Sequence, residues 1–120
     1  MKVAITVADS GPEAQVDPRF GRARWFRIVD TETGQVETVD NTPNLQAAQG
    51  AGIQAARRCV ELGIEAVITG QVGPKAFAVL QGQGVAVHTG ASGLADEALE
   101  RFTRGQLPAT GAATVEGHWS

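Results

Sequence analysis

Two short apolar runs constrain this chain more than any other feature of it. Ala66-Val67-Ile68, closed by Thr69 and Gly70, shows no alternation of polar and apolar residues. An unbroken run of that length fits a central parallel strand covered on both faces. Lys2-Val3-Ala4-Ile5-Thr6-Val7 has the same character, with β-branched residues at Val3, Ile5, Thr6 and Val7. Two such strands need a layer of other structure above them and another below.

The rest of the chain supplies those layers. Residues 8–22 read as a loop, marked by Gly11-Pro12 and Asp17-Pro18. Residues 24–29 form a second strand in which Arg27 alone is polar after Arg24, so both faces are expected to be covered. A turn at 30–35 leads into a third, alternating strand over 36–39, and the short connection makes an antiparallel hairpin. Asn41 to Asn44, with Pro43 inside, breaks the pattern. From Leu45 to Leu62 the period becomes helical, with Ala48, Gly52, Ala55, Ala56, Cys59 and Val60 on one face and Gly63 at the stop. Glu65 to Thr69 is the fourth strand. A helix over 74–81 opens on Pro74, a fifth strand covers 85–88, and a third helix covers 95–104 with Leu94, Ala98, Leu99 and Phe102 towards the core. The order β-β-β-α-β-α-β-α gives an α/β fold, a mixed five-stranded sheet covered by helices, since right-handed crossovers set the later strands parallel to the first. One domain over residues 1–107 and a flexible tail over 108–120, rich in Ala, Thr and Gly, complete the reading.

Composition narrows the function classes. A net charge of −3 and a pI near 5.3 argue against bulk nucleic-acid binding. The single cysteine, Cys59, makes no internal disulfide and belongs to no Cys-x-x-Cys pair, which fits a reducing cytoplasm. The first residues lack the long apolar region of a secretion signal. No apolar stretch reaches the ~20 residues that span a membrane.

Ligands of open α/β sheets sit outside the carboxyl ends of the parallel strands. Three loops leave those ends: residues 8–23, residues 69–75 and residues 89–93. In the second, Gly70 and Gly73 expose backbone N–H groups, the following helix start carries partial positive charge, and Lys75 adds a full one, a combination that suits an anion. The competing reading gives the glycines turn geometry alone. The first loop carries Arg19 and Arg22 around Phe20-Gly21, with Arg24 just beyond. Either these arginines pair with Asp9, Asp17 or Asp30, or they converge on the second loop to hold a negative ligand. His88, at the end of the fifth strand, could face the same pocket. No P-loop, no dinucleotide fingerprint, no metal-ligand spacing and no acid/base pair is present, so the chain reads as a binding protein and not an enzyme, with no catalytic and no metal-ligating residue assigned.

The ordered motifs Val16-Asp17-Pro18-Arg19-Phe20-Gly21-Arg22-Ala23, Trp25-Phe26, Ile28-Val29-Asp30, Gly50-Ala51-Gly52-Ile53-Gln54-Ala55-Ala56, Ala66-Val67-Ile68-Thr69-Gly70 and Val72-Gly73-Pro74-Lys75-Ala76-Phe77 resemble the dinitrogenase iron–molybdenum cofactor biosynthesis family. Gly84-Val85, Ala91-Ser92-Gly93, Glu97-Ala98-Leu99 and Gly105-Gln106-Leu107 extend the match to about residues 1–107. The resemblance implies a ribonuclease-H-like fold. It implies a small stand-alone carrier of an iron–sulfur-based metallocluster, the iron–molybdenum cofactor or a precursor, working with cofactor-assembly proteins in nitrogen fixation. The alternative is a small-metabolite-binding or protein-interaction module outside nitrogen fixation. On this reading the cargo-binding positions are Arg19, Phe20, Gly21, Arg22, Gly70, Gly73, Lys75 and His88. Many relatives carry a histidine just before the Phe-Gly pair, where this chain has Arg19. A guanidinium does not ligate iron, so a cluster here would be held through its negative charge. The oligomeric state is open.

Overall fold

The computed structural model describes residues 1–45 and 50–113. Its strands are β1 (Lys2–Val7), β2 (Trp25–Asp30), β3 (Val36–Asp40), β4 (Ala66–Ile68) and β5 (Ala86–His88). They form one sheet in the order β3-β2-β1-β4-β5. β1 is its middle. It pairs antiparallel with β2 (Val3 opposite Val29, Ile5 opposite Arg27) and parallel with β4 (Val3 opposite Ala66, Ile5 opposite Ile68). β5 continues parallel beyond β4, and β3 closes antiparallel on β2. The helices are α1 (Thr42–Leu45), α2 (Ala51–Glu61), α3 (Pro74–Gly82) and α4 (Ala95–Thr103), with a single 3-10 turn at Phe20–Arg22.

The two apolar runs are central because each face of the sheet has its own core. Side chains alternate along a strand, so Val67 points one way while Ala66 and Ile68 point the other. Val67 joins Phe26, Ile28, Ala55, Ala56, Cys59, Phe77 and Leu80 under α2 and α3. Ala66 and Ile68 join Val3, Ile5, Val7, Val29, Ala95 and Ala98 under α4. Arg27 lies on that second face and is 5% exposed. It is tolerated there because Nη1 donates to Asp96 Oδ1 at 2.9 Å and Nη2 donates to the Gly11 carbonyl, so the buried charge is paired.

Four local expectations change. The helix expected from Leu45 onward begins, among the described residues, at Ala51; Gly50 before it takes φ 75°, a left-handed turn open to glycine, and Ala48 lies outside the described residues. The break expected at Asn41–Asn44 is a helical turn. Asp40 Oδ1 accepts the Thr42 N–H at 2.8 Å, and the Asn41 carbonyl accepts the N–H groups of Asn44 and Leu45 at 3.0 and 3.2 Å. Leu94, expected inside, is 36% exposed because it is the extended residue that caps α4. The segment read as a flexible tail is tied down at its start: Thr110 N donates to the Val87 carbonyl at 2.6 Å, and Thr110 Oγ1 accepts the Thr89 N–H at 3.1 Å. Its remaining residues, 114–120 with His118, lie outside the described residues. Among the described residues no helix is long and apolar enough to cross a membrane.

Cys59 is wholly buried in α2, and burial pushes its thiol up from 9.0 to about 12. The folded state keeps a proton that the unfolded chain releases at lower pH. The resulting stability is intact below about pH 9 and is lost as pH rises towards about 12. A disulfide-exchange reagent at pH 8 is expected to leave the folded chain unmodified and to label one thiol in denaturant; labelling at the rate of a free thiol without denaturant would contradict the packing.

Candidate functional site

The loop between β1 and β2 is built onto the sheet. After β1 the chain turns back beside it, with Ala8 N donating to the Gln15 carbonyl at 3.0 Å. Asp17 is then held at both ends of its peptide unit: its N–H donates to the Thr6 carbonyl at 2.8 Å, and its carbonyl accepts from Thr6 Oγ1 at 2.8 Å. The Thr6 and Thr69 hydroxyls are 2.8 Å apart and both residues are fully buried. Thr6 has one proton and the Asp17 carbonyl takes it, so Thr69 is the donor between the two hydroxyls. The direction Thr69 to Thr6 to Asp17 is fixed.

The next residues dock on the end of β4. Gln71 N donates to the Pro18 carbonyl at 2.7 Å, and Phe20 N donates to the Gln71 carbonyl at 3.1 Å. Arg19 and Gln71 thus form a parallel bridge, one more rung of sheet. Gly70 permits the approach. A Cβ there would lie 2.6 Å from Pro18 Cα and 2.7 Å from the Pro18 carbonyl oxygen, closer than atoms can come. Beyond the 3-10 turn, buried Asn41 fixes the exit: Nδ2 donates to the Ala23 carbonyl at 2.7 Å and its N–H to the Arg24 carbonyl at 2.8 Å.

This frame bears on the first reading of the arginines, pairing with the neighbouring acids. Asp17 Oδ1 accepts the backbone N–H of Arg19 at 3.0 Å, and Asp9 Oδ1 accepts the N–H of Gly11 at 2.8 Å. Asp30 accepts the N–H groups of Glu32 and Thr33 in the far hairpin, which hold its carboxyl below the usual range. The neighbouring acids are thus taken up by backbone. Among the described residues Arg19, Arg22 and Lys75 are exposed and none is in an ion pair. Arg24 lies over the Trp25 ring at 5.9 Å. α3 starts immediately after the 70–73 loop with Pro74 in its first turn and Lys75 next, so its positive end opens beside the docked arginine loop.

The other sequence-derived positions separate. Gly21, Gly70 and Gly73 are buried backbone positions in this frame. Phe20 is core: it is 1% exposed and its ring stands 5.7 Å from that of Phe26. His88 turns to the α4 face. Its Nδ1 is 2.7 Å from the Leu107 carbonyl, which can only accept, so Nδ1 carries the proton, and its ring meets Phe102 edge-on at 4.8 Å. Thr6, Thr69 and Asn41 are positioning residues that the sequence reading passed over. One signal was present: an Ile-Thr pair falls towards the carboxyl end of each apolar run, at Ile5-Thr6 and Ile68-Thr69, and the parallel register sets Ile5 opposite Ile68. Among the described residues no three His, Cys, Asp or Glu side chains come together to hold a metal ion.

A family model for the dinitrogenase iron–molybdenum cofactor matches residues 1–105. The chain belongs to this family. Its match takes in β1, the arginine loop, the Gly70 loop and α4. An uncharacterised protein of Methanocaldococcus jannaschii is 30% identical over 110 residues, 89% of each chain. The apo form of the orange protein from Desulfovibrio gigas superposes with a TM-score of 0.92 at 40% identity, over 95% of this chain and 96% of that one. The Thermotoga protein TM1290 superposes with a TM-score of 0.82 at 36% identity, over 95% and 97% of the two chains.

The fixed hydroxyl chain makes an ordering testable. Thr6→Val strands the Asp17 carbonyl and the Thr69 hydroxyl, a cost of about 1–3 kcal/mol, whereas Thr69→Val leaves the bond to Asp17 intact and costs about 1 kcal/mol or less. Urea unfolding checks it, and equal losses would contradict the assigned direction.

Proposed function

We propose that this chain is a binding or carrier protein for an anionic iron–sulfur-based metallocluster, the iron–molybdenum cofactor or a precursor, held at the meeting of the arginine loop with the Gly70–Lys75 segment. The carrying observation is that Arg19, Arg22 and Lys75 are exposed and, among the described residues, in no ion pair, beside backbone that is already fixed in place. Preset charge of this kind binds an anion with little ordering cost. Membership of a family described by the iron–molybdenum cofactor supports the cargo class, and the orange protein, solved in an apo form, supports a group that comes and goes. The cargo is held by guanidinium, ammonium and amide donors; Gly70 admits Pro18 and so sets the arginine loop beside the start of α3 at Gly73, and Phe20 supports the loop from beneath. The reading makes the chain a carrier and not an enzyme, with residues 1–107 as the cargo domain and cofactor-assembly proteins as its partners in nitrogen fixation. It places the chain in a reducing cytoplasm, in keeping with its one buried thiol. The order β3-β2-β1-β4-β5, with β1 to β3 antiparallel, supports the ribonuclease-H-like description of the sheet.

The test is anaerobic incubation with extracted iron–molybdenum cofactor, gel filtration, and iron and molybdenum analysis of the protein peak. Wild type is expected to retain metal, and Arg19→Ala with Lys75→Ala to lose most of it. Retention is expected to fall as salt rises. No retention by wild type, or full retention by the double variant, would overturn the reading.

A further inference from the structure

The outer strand of the sheet has an open edge of one charge sign. Asp30 N donates to the Gln35 carbonyl at 2.9 Å and Asn41 N donates to the Arg24 carbonyl at 2.8 Å. These bonds bracket the β2–β3 ladder and fix its alternation: Gln35, Glu37, Val39 and Asn41 face β2, while Val36, Thr38 and Asp40 direct N–H and C=O outward. β3 is terminal in the sheet, so those groups meet no described strand. Val36 is 61% exposed. From Asp30 to Asp40 the sequence carries four carboxylates (Asp30, Glu32, Glu37 and Asp40) and no basic side chain. The Met1 amino group lies 3.9 and 3.7 Å from Asp30 and Glu32, but among the described residues Glu37 has no ion-pair partner.

A cavity flanks the edge on each face. One of about 420 Å³ is lined by Arg27, Val36, Thr38 and Asp96 with the Ser10–Pro12 turn. The other, of about 280 Å³, is lined by Lys2, Ile28, Asp30, Val36 and Glu37. Arg27 and Ile28 are adjacent in β2 and point to opposite faces, so the two cavities would take alternate side chains of one added strand.

We infer that the β3 edge takes an extended, basic segment of another protein as a sixth strand. The outward amides and carbonyls of Val36, Thr38 and Asp40 supply the ladder, and the acidic hairpin selects lysine or arginine. A second copy is the poorer occupant. Two β3 strands related by a two-fold at Thr38 would bring both Glu37 carboxylates to diagonal positions, adding like charge where the edge already has a surplus.

The probe is a blocked seven-residue peptide of alternating lysine and valine, followed by amide hydrogen exchange in NMR. Saturable slowing is expected at Val36, Thr38 and Asp40, and not at Glu37 or Val39, whose bonds are already made. N-methylation of alternate peptide residues should abolish it, and glutamate in place of lysine should prevent binding. Thr38→Pro removes an outward N–H and no internal bond, and is expected to weaken binding about tenfold. Should that variant fail to fold, the N-methylated peptide makes the same test on the unaltered chain. Absence of slowing, or binding indifferent to N-methylation, overturns the inference. Slowing at these amides in the chain alone that grows with its own concentration also overturns it, in favour of a second copy. Cluster retention by Thr38→Pro separates this edge from the cargo site: it is expected to match wild type, and a loss would overturn the edge's independence.

Discussion

The contact between Gly70 and Pro18 is the constraint on which the rest depends. With 2.6 Å left for a Cβ, glycine alone lets the loop after β1 lie against the end of β4. From that contact follow the Gln71–Pro18 and Phe20–Gln71 bonds, and from those the path of residues 17–22. The buried Thr69–Thr6–Asp17 chain holds the same loop from the β1 side, and Asn41 holds it at the exit. A stretch that connects two strands is thereby made part of the sheet.

Charge follows from the same bonding. A loop with three arginines and nearby aspartates could neutralise itself. Here Asp9 and Asp17 accept backbone N–H groups, which fixes the turns and leaves Arg19 and Arg22 in no ion pair among the described residues. The molecule gathers positive charge at the carboxyl ends of its parallel strands and negative charge on the hairpin of β2 and β3. An overall charge of −3 conceals that separation.

The elements were legible where burial alone decides them. Ala66-Val67-Ile68 and Lys2–Val7 are unbroken because both faces are covered, and β2 and β3 were found through their turn. α1 was missed because one helical turn has no period to read; it rests on Asp40 and Asn41 accepting N–H groups. Gly70, Arg19 and Lys75 could be singled out because glycine beside a helix start and unpaired charge have direct physical meaning. Phe20 was drawn into the site by its place in a motif, yet its ring belongs to the core against Phe26. At His88 strand parity, not nearness to a loop, sets direction: Val87 faces α2 and α3, so His88 faces α4. The Thr6–Thr69 contact joins residues 63 apart and depends on register, which no local pattern displays.

The central claim is that the arginine loop is a fixed part of the sheet and not a mobile connection. Native-state hydrogen exchange at the amides of Asp17, Phe20 and Gln71 tests it most directly. These amides donate to Thr6, Gln71 and Pro18 carbonyls, so they are predicted to exchange as slowly as those of β1 and β4, through global unfolding. Exchange at the rate of an open loop, with β1 and β4 still protected, would contradict it.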